Sequence, residues 1–507
     1  MDAVSFGLAV FTCIGTLNDL MKKASDKVAA YTNASKEIPM LLKGVHHQCL
    51  KLRKDLEFLQ HLKIEDTVDN TELIELQEDG LSKLERNAAK LARTLALNGR
   101  PSSREKLTYA FKYKPAVTKF HEEIQQWYAR YSVSFYLLAR VMAVHEYNTV
   151  GASQIMETVA GLKDARLRLL SKTMEKPEML GSNGHEMDIP IRFTTATVSQ
   201  NYAARQIVLD YVPAKFPEYA ENARRDIQEL ASILSNFDPL STGLLTCDHV
   251  AEVNVDDCQL FVLSFSFPPG LSQPCALREL LQRRPLKAIP INTRLVLATS
   301  LTTSVICMHA ASFVHKNIRP ETILIFDGPE STKNTFLIGF EFFRSNENQT
   351  QRRGDDSWTM AIYRHPKRQG LHPDSNYRMQ HDIYSLGVCL LEIGLWECFV
   401  YYSFEDDDRG LPRDEVARPG DVFNVHPRST PERPHELHAR ETKLRLENLA
   451  RDRLPAYMGK KYTNVVLACL TCLEDPQFGR DLDNDNGLII GTRFIKMVYQ
   501  ELQSISV

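Results

Sequence analysis

Apolar positions recur at helical spacing through the first third of the chain. In "LLKGVHHQCLKLRKDLEFLQ", residues 41–60, Leu42, Val45, Leu52, Leu56 and Leu59 mark one stripe of an amphipathic helix. "ELIELQEDGLSKLERNAAKLARTLAL" repeats the pattern through Leu76, Leu81, Leu84, Ala88, Leu91 and Leu95, until Asn98-Gly99-Arg100-Pro101 breaks it. "AVTKFHEEIQQWYARYSVSFYLLARVMAV" is a third long segment of the same kind. Period-two alternation is scarce here. The pattern predicts an all-α helical bundle over residues 1–170.

Residues 171–190, "SKTMEKPEMLGSNGHEMDIP", are polar with Pro and Gly and read as a linker. The pattern then changes. "IPIRFTTATV", "ARQIVLDYV" and "CQLFVLSFSF" read as strands, with one helix, "AENARRDIQELASIL", among them. After "FPPG" the helical period returns in "RLVLATSLTTSVICMHAA" and "HDIYSLGVCLLEIGLW". Charged, proline-rich residues 403–440 read as a mobile loop or insertion. The expected chain is multidomain: the bundle, then an α+β unit over 191–505.

Composition changes this picture little. At 507 residues the chain is too long for one ordinary core, and 43% hydrophobic with 25% charged residues is usual for a globular protein. A net charge of −3 argues against a general nucleic-acid partner. The basic excess lies in residues 1–175 and the acidic excess beyond them. Ten dilute cysteines read as reduced thiols of a cytoplasmic protein; the lone Cys469-x-x-Cys472 sits in an apolar run and reads as helix core.

The opening "MDAVSFGLAVFTCIGTL" carries one charge, Asp2, and lacks the basic start of a signal peptide. Its apolar run of about fifteen residues is shorter than the roughly 20 that span a bilayer. It reads as a buried first helix that can leave the bundle for a membrane. Val4, Phe6, Leu8, Val10, Phe11 and Ile14 would enter lipid. Lys22, Lys23 and the basic stretch Arg100–Lys119 would meet anionic headgroups, at about 1 kcal/mol per charge near the surface.

"HKNIRPETILIF", His315–Phe326, has the cadence of a protein-kinase catalytic loop followed by a strand. "FLIGFE" is similar to the strand entering the metal-binding Asp-Phe-Gly, "IYRHPKRQG" to the Ala-Pro-Glu region, and "HDIYSLGVCLLEIGLWE" to the buried helix that carries an aspartate, here Asp382. In this order they resemble a two-lobed protein kinase over about 190–505. Phosphoryl transfer needs a positioned divalent metal and a carboxylate to orient the acceptor. The resemblance puts Asn317 at the catalytic aspartate, Thr322 at the metal-binding asparagine and Gly339 at the metal-binding aspartate, with Glu341 two residues on. It puts Asp210 at the phosphate-binding lysine and Asp226 at the helix glutamate, with Glu229 as alternative. Thr194–Tyr202, the glycine-rich loop, holds no glycine. His315, Pro320 and Asp382 keep their scaffold identities.

The resemblance therefore implies a pseudokinase that needs no metal or cofactor, with metal-free ATP binding left open. An atypical active kinase using Glu341 or Asp327 is the catalytic alternative. Thr350, Ser357 and Thr359, near Arg352 and Arg353, are candidate regulatory phosphosites.

The apolar opening and the bundle resemble the fungal HeLo domain of HET-s incompatibility proteins. The combination is similar in plan to the mixed-lineage kinase domain-like family of animal necroptosis. This implies a regulated effector or sensor of programmed cell death or non-self response. It would be cytoplasmic, self-associating, recruited to anionic lipids of the plasma membrane on activation, and controlled by an upstream sensor or kinase. An interaction scaffold that oligomerises through the bundle is the other reading.

Overall fold

The computed structural model describes residues 3–31, 37–60, 68–96, 114–141, 189–200, 205–213, 220–255, 258–283, 289–329, 332–340, 344–345, 357–373, 375–403, 416–420, 435–479 and 487–506. The chain divides into two compact units, Met1–Asp164 and Ala165–Val507.

The first unit is helical among its described residues: α1 (Ala3–Tyr31), α2 (Glu37–Gln60), α3 (Val68–Ala96) and α4 (Lys114–Val141). On α1, Phe6, Val10, Cys13, Leu17, Leu20 and Ala24 are buried at alternating steps of four and three. That spacing is one seam of a helix, and it packs against α2 and α3. The α4 helix closes on α3 at Gly80, where a Cβ would come within 2.7 Å of the Tyr131 ring. Trp127 Nε1 donates to the Gly80 carbonyl at 2.7 Å, so the close approach also satisfies the buried indole.

Only part of the apolar opening enters this core. Phe6 and Val10 are buried, Ile14 is half-buried, and Leu8 and Phe11 are 65% and 63% exposed. Lys22 is exposed, and Lys23 pairs with Asp19 at 2.6 Å. Val4 lies on α1, but its side chain falls outside the described set, as do the linker residues 171–188 and most of the basic stretch after Arg100.

Among its described residues the second unit opens on a five-stranded antiparallel sheet in the order β1-β2-β3-β5-β4. Its strands are β1 (Ile189–Pro190), β2 (Ala196–Gln200), β3 (Gln206–Pro213), β4 (Cys247–Val255) and β5 (Cys258–Ser266). Ile189 and Pro190 pair with Val198 and Thr197, which takes the end of the expected linker into the sheet. Helix α5 (Ala220–Leu234) packs on β4 and β5. The pattern reading missed β4: "CDHVAEVNV" is polar at half its positions and pairs with β5 through eight registered residues.

A second small sheet, β6-β8-β9, joins Ser272–Ala276, Ile323–Asp327 and Lys333–Leu337, and the short β7 (Phe313–Val314) pairs antiparallel with β10 (Arg344–Ser345). Around it lie α6 (Leu277–Arg283), α7 (Ile291–Ala310), α8 (Met379–Leu395), α9 (His435–Asp452), α10 (Leu454–Leu470) and α11 (Gly487–Phe494). Every residue of α8 is buried, its polar side chains Asp382 and Glu392 included, so these must find partners inside the core. Among the described residues one helix, α7, is long and apolar enough to cross a membrane; it packs against α8 and is largely buried.

Residues 403–440 are not one continuous loop. Within them β12 (Val416–Pro419) pairs antiparallel with β11 (Val400–Ser403), and α9 starts at His435. The pairing Val400↔Pro419 and the Gly420 amide to the Phe399 carbonyl, 2.8 Å, hold this strand against the end of α8. Residues 404–415 and 421–434 lie outside the described set.

Candidate functional site

Asp382, at the start of α8, is fully buried and organises the loop that opens at His315. Its Oδ2 accepts the His315 amide at 2.8 Å and faces His309 Nε2 at 3.1 Å. Its Oδ1 accepts the Lys316 amide at 2.9 Å and the Tyr377 hydroxyl at 2.6 Å. Burial alone would raise this carboxyl, but the His309 and Tyr377 hydrogen bonds hold it below the usual range. Lys316 takes a left-handed φ of 67°, the bend that turns both amides toward the carboxylate. His315 Nε2 lies 2.9 Å from the Ile338 carbonyl, which ties the loop to the end of β9.

Asn317, Pro320 and Thr322 follow on this loop, all buried. Thr322 Oγ1 donates to the Asn317 carbonyl at 2.7 Å and accepts the Arg319 amide at 3.2 Å. Asn317 Oδ1 accepts from Arg319 Nε at 3.1 Å. The two side chains read as degenerate replacements for a catalytic aspartate and a metal-binding asparagine are thus engaged in holding the loop's own shape.

Opposite them, Gly339 has φ +77°, and a Cβ there would stand 2.5 Å from Thr322 Cγ2. Asp210 on β3 reaches the same point. Its Oδ2 accepts the Gly339 amide at 2.8 Å and its Oδ1 accepts the Thr195 hydroxyl at 2.6 Å. Four of the positions singled out from sequence, Asp210, Thr322, Gly339 and Asn317, therefore meet in one buried cluster. Asp226 and Glu229 lie half-buried on α5, where Arg224 of the same helix pairs bidentately with Glu252 of β4 at 2.8 and 3.0 Å. Glu341 and Thr350 lie outside the described residues, with Arg352 and Arg353. Ser357 and Thr359 are half-buried and 2.9 Å apart through their hydroxyls, around the start of the short helix Trp358–Ala361.

The turn expected at Thr194–Tyr202 lies earlier, because Ala196–Gln200 is already strand β2. It spans Ile191–Thr195. Thr194 Oγ1 closes it, donating to the Ile191 carbonyl at 2.8 Å and accepting the Ala196 amide at 3.0 Å. Phe193 sits at its tip with φ +68° and places its ring 5.2 Å from Tyr402 of β11. Between this turn and the Asn317–Thr322 loop is a cleft of about 560 Å³, walled also by Arg192, Arg319, Glu321 and Tyr402.

Beneath the cleft, Arg278 of α6 is fully buried. It contacts Glu321 Oε1 and Glu392 Oε1 at 2.9 Å each, and the Tyr363 hydroxyl. Tyr363 in turn donates to Glu392 Oε2 at 2.8 Å, and Tyr402 to Glu321 Oε1 at 3.2 Å. Burial would strip the Arg278 charge, yet Glu321 and Glu392 hold it above its usual range. Burial also pushes Glu321 up, but Arg278 and Arg319 outweigh it and hold that carboxyl low; for Glu392 burial wins and raises it. The sequence reading missed this cluster. Its signal was a charged residue inside an apolar run, Arg278 in "CALREL" and Glu392 in "VCLLEIGLW", which requires a buried partner.

Three buried imidazoles set a pH dependence. Burial lowers His315 from 6.5 to about 4, and it also depresses His365 and His381. Between the ordinary and the folded value the unfolded chain binds more protons than the folded one. This stability contribution is complete above pH 6.5 and is lost as pH falls toward 4. Melting temperature of the second unit should fall steadily from pH 6.5 to 4.5. His315→Gln, which keeps a donor for the Ile338 carbonyl, should flatten the slope. A melting temperature constant across that window would contradict the assignment.

Among the described residues no three His, Cys, Asp or Glu side chains are grouped to hold a metal ion. No protein-family model and no curated protein matches the chain.

Proposed function

We propose that the second unit is a kinase-like fold used for binding and switching rather than phosphoryl transfer, and that it controls the helical first unit. The observation that carries this reading is the Asp210–Gly339–Thr322 contact. A carboxylate takes the backbone amide at the point where a transferring enzyme would seat metal and phosphate, and Thr322 fills the space a metal-binding side chain at Gly339 would need. The Asp382 network, which shapes the loop, supports the likeness on the scaffold side. Titration with ATP, with and without Mg²⁺, should leave the melting temperature unchanged. At a hundredfold excess over the dissociation constant, true binding would add about 2.7 kcal/mol. Sustained Mg·ATP turnover that disappears in Glu341→Ala would instead establish the atypical-kinase reading.

For the first unit the proposed role is action on anionic membranes in a cell-death or non-self response. It is supported by the apolar outer positions Leu8 and Phe11, close in sequence to Lys22 and Lys23. The full chain should leak vesicles containing phosphatidylserine once activated, and Leu8→Asp with Phe11→Asp should abolish the leakage. Those same exposed positions favour a second reading, self-association without leakage, because α1 spends Phe6, Val10, Cys13 and Leu17 on its own core. Assembly without dye release would select the scaffold.

A further inference from the structure

We propose that the cleft between the Ile191–Thr195 turn and the Asn317–Thr322 loop binds a phosphomonoester dianion, presented by a phosphorylated serine or threonine of a peptide. Its volume, about 560 Å³, is that of a small-ligand site and far exceeds a bare phosphate, so the anion has a carrier.

The cations are placed for such a guest. On one wall, Arg319 is held by Asn317 Oδ1 at its Nε and faces Glu321 Oε2 at 3.6 Å with one terminal nitrogen. The other terminal nitrogen has no acceptor among the described residues. Glu321 Oε2 is buried and takes no hydrogen bond, so it orients the guanidinium by charge without consuming an N–H. A fork fixed in this way loses little freedom on meeting an anion. On the opposite wall Arg192 stands exposed at the turn tip, its guanidinium 5.9 Å from the Phe193 ring.

The negative charge in the walls is already spent. Glu321, the one carboxylate of the cleft lining, is paired with Arg278 beneath it, against the two arginines Arg192 and Arg319 of the same lining. The cleft is therefore net positive. Two guanidinium groups on facing walls suit a dianion better than a single carboxylate. Phe193 and Tyr402, 5.2 Å apart, supply aromatic surface for the carrier. The lining includes no residue of β5, so the geometry favours a peptide over a nucleotide, whose base would need a wall of its own. Phe193 holds a left-handed backbone at the tip of this turn, which sets its ring against Tyr402.

The inference rests on the geometry of the cleft and stands apart from the question of phosphoryl transfer. Its test is a polarisation titration of the full chain with degenerate peptides carrying a central phosphoserine, beside unphosphorylated twins. Inorganic phosphate and AMP serve as competitors. The phosphorylated pool should bind at least about tenfold more tightly than its twin. Arg319→Gln and Arg192→Ala should each remove most of that difference, and Arg192→Ala, on the exposed turn, should leave the melting temperature unchanged. Equal binding of the two pools, or binding indifferent to both variants, would overturn the proposal. Competition by AMP stronger than by phosphopeptide would overturn the peptide assignment and point to a nucleotide. Mg·ATP turnover, measured alongside, bears only on the proposed absence of catalysis.

Discussion

Asp382→Ala should cost the second unit about 3–5 kcal/mol, read as a large drop in the urea midpoint of its transition. The carboxylate is fully buried and accepts from two backbone amides and the Tyr377 hydroxyl, while meeting His309. Deleting it leaves those donors desolvated with nothing to bind. The left-handed turn at Lys316 also loses the bond that holds it. Asp382→Asn keeps one oxygen and should cost less, with the remaining damage centred on His309. Hydrogen exchange should localise the loss to residues 309–322 and the start of α8. A midpoint within the range of a surface substitution, about 0.5 kcal/mol, would mean the network does not organise the loop.

Gly339→Asp should destabilise the unit by about 2–4 kcal/mol and create no magnesium site, although it restores a metal-binding residue type at the position read from sequence as degenerate. Three costs combine. The backbone is left-handed at φ +77°, the new Cβ would meet Thr322 Cγ2 at 2.5 Å, and a second carboxylate would face Asp210. Restoration therefore has to be made as a set: Gly339→Asp with Thr322→Asn and Asp210→Lys. Melting curves with and without Mg²⁺ check both halves of the claim. A stable single variant that gains Mg²⁺-dependent stability would show that the cleft had kept its metal geometry.

The long elements were legible because they obey local rules. The first three helical stripes of the bundle, the run of strands after residue 190 and the burial of α8 all follow from periodicity. A helix with one wet face, or a segment with none, announces itself every few residues. β4 was hidden because polar residues interrupt its apolar positions without strict alternation, and only pairing with β5 makes it a strand. β12 was hidden among charges and prolines for the same reason; only its pairing with β11, earlier in the chain, makes it a strand. The glycine-free turn was placed a few residues late, since Thr194 closes it by a side-chain bond that no alternation reports.

At the site, sequence named Asp210, Asn317, Thr322 and Gly339 one at a time, as residue types unsuited to holding metal and phosphate. Their being in contact was not readable, because Asp210 and Gly339 are separated by 129 positions. Arg278 and Glu392 were passed over in the sequence, although each is a charge in an apolar run; that they meet one another depends on packing between segments 114 positions apart.

The sequence by itself determined where helix and strand could form, that two different architectures follow one another, and which residue types occupy the loop after His315. Those properties depend on neighbours within a few positions, where hydrophobic period and turn chemistry act. Tertiary structure alone decided that Phe6 points inward while Leu8 and Phe11 face water, that Thr322 stands where a Gly339 side chain would lie, and that Arg192 and Arg319 line one cleft. Such facts arise from packing between distant segments, which local spacing does not encode.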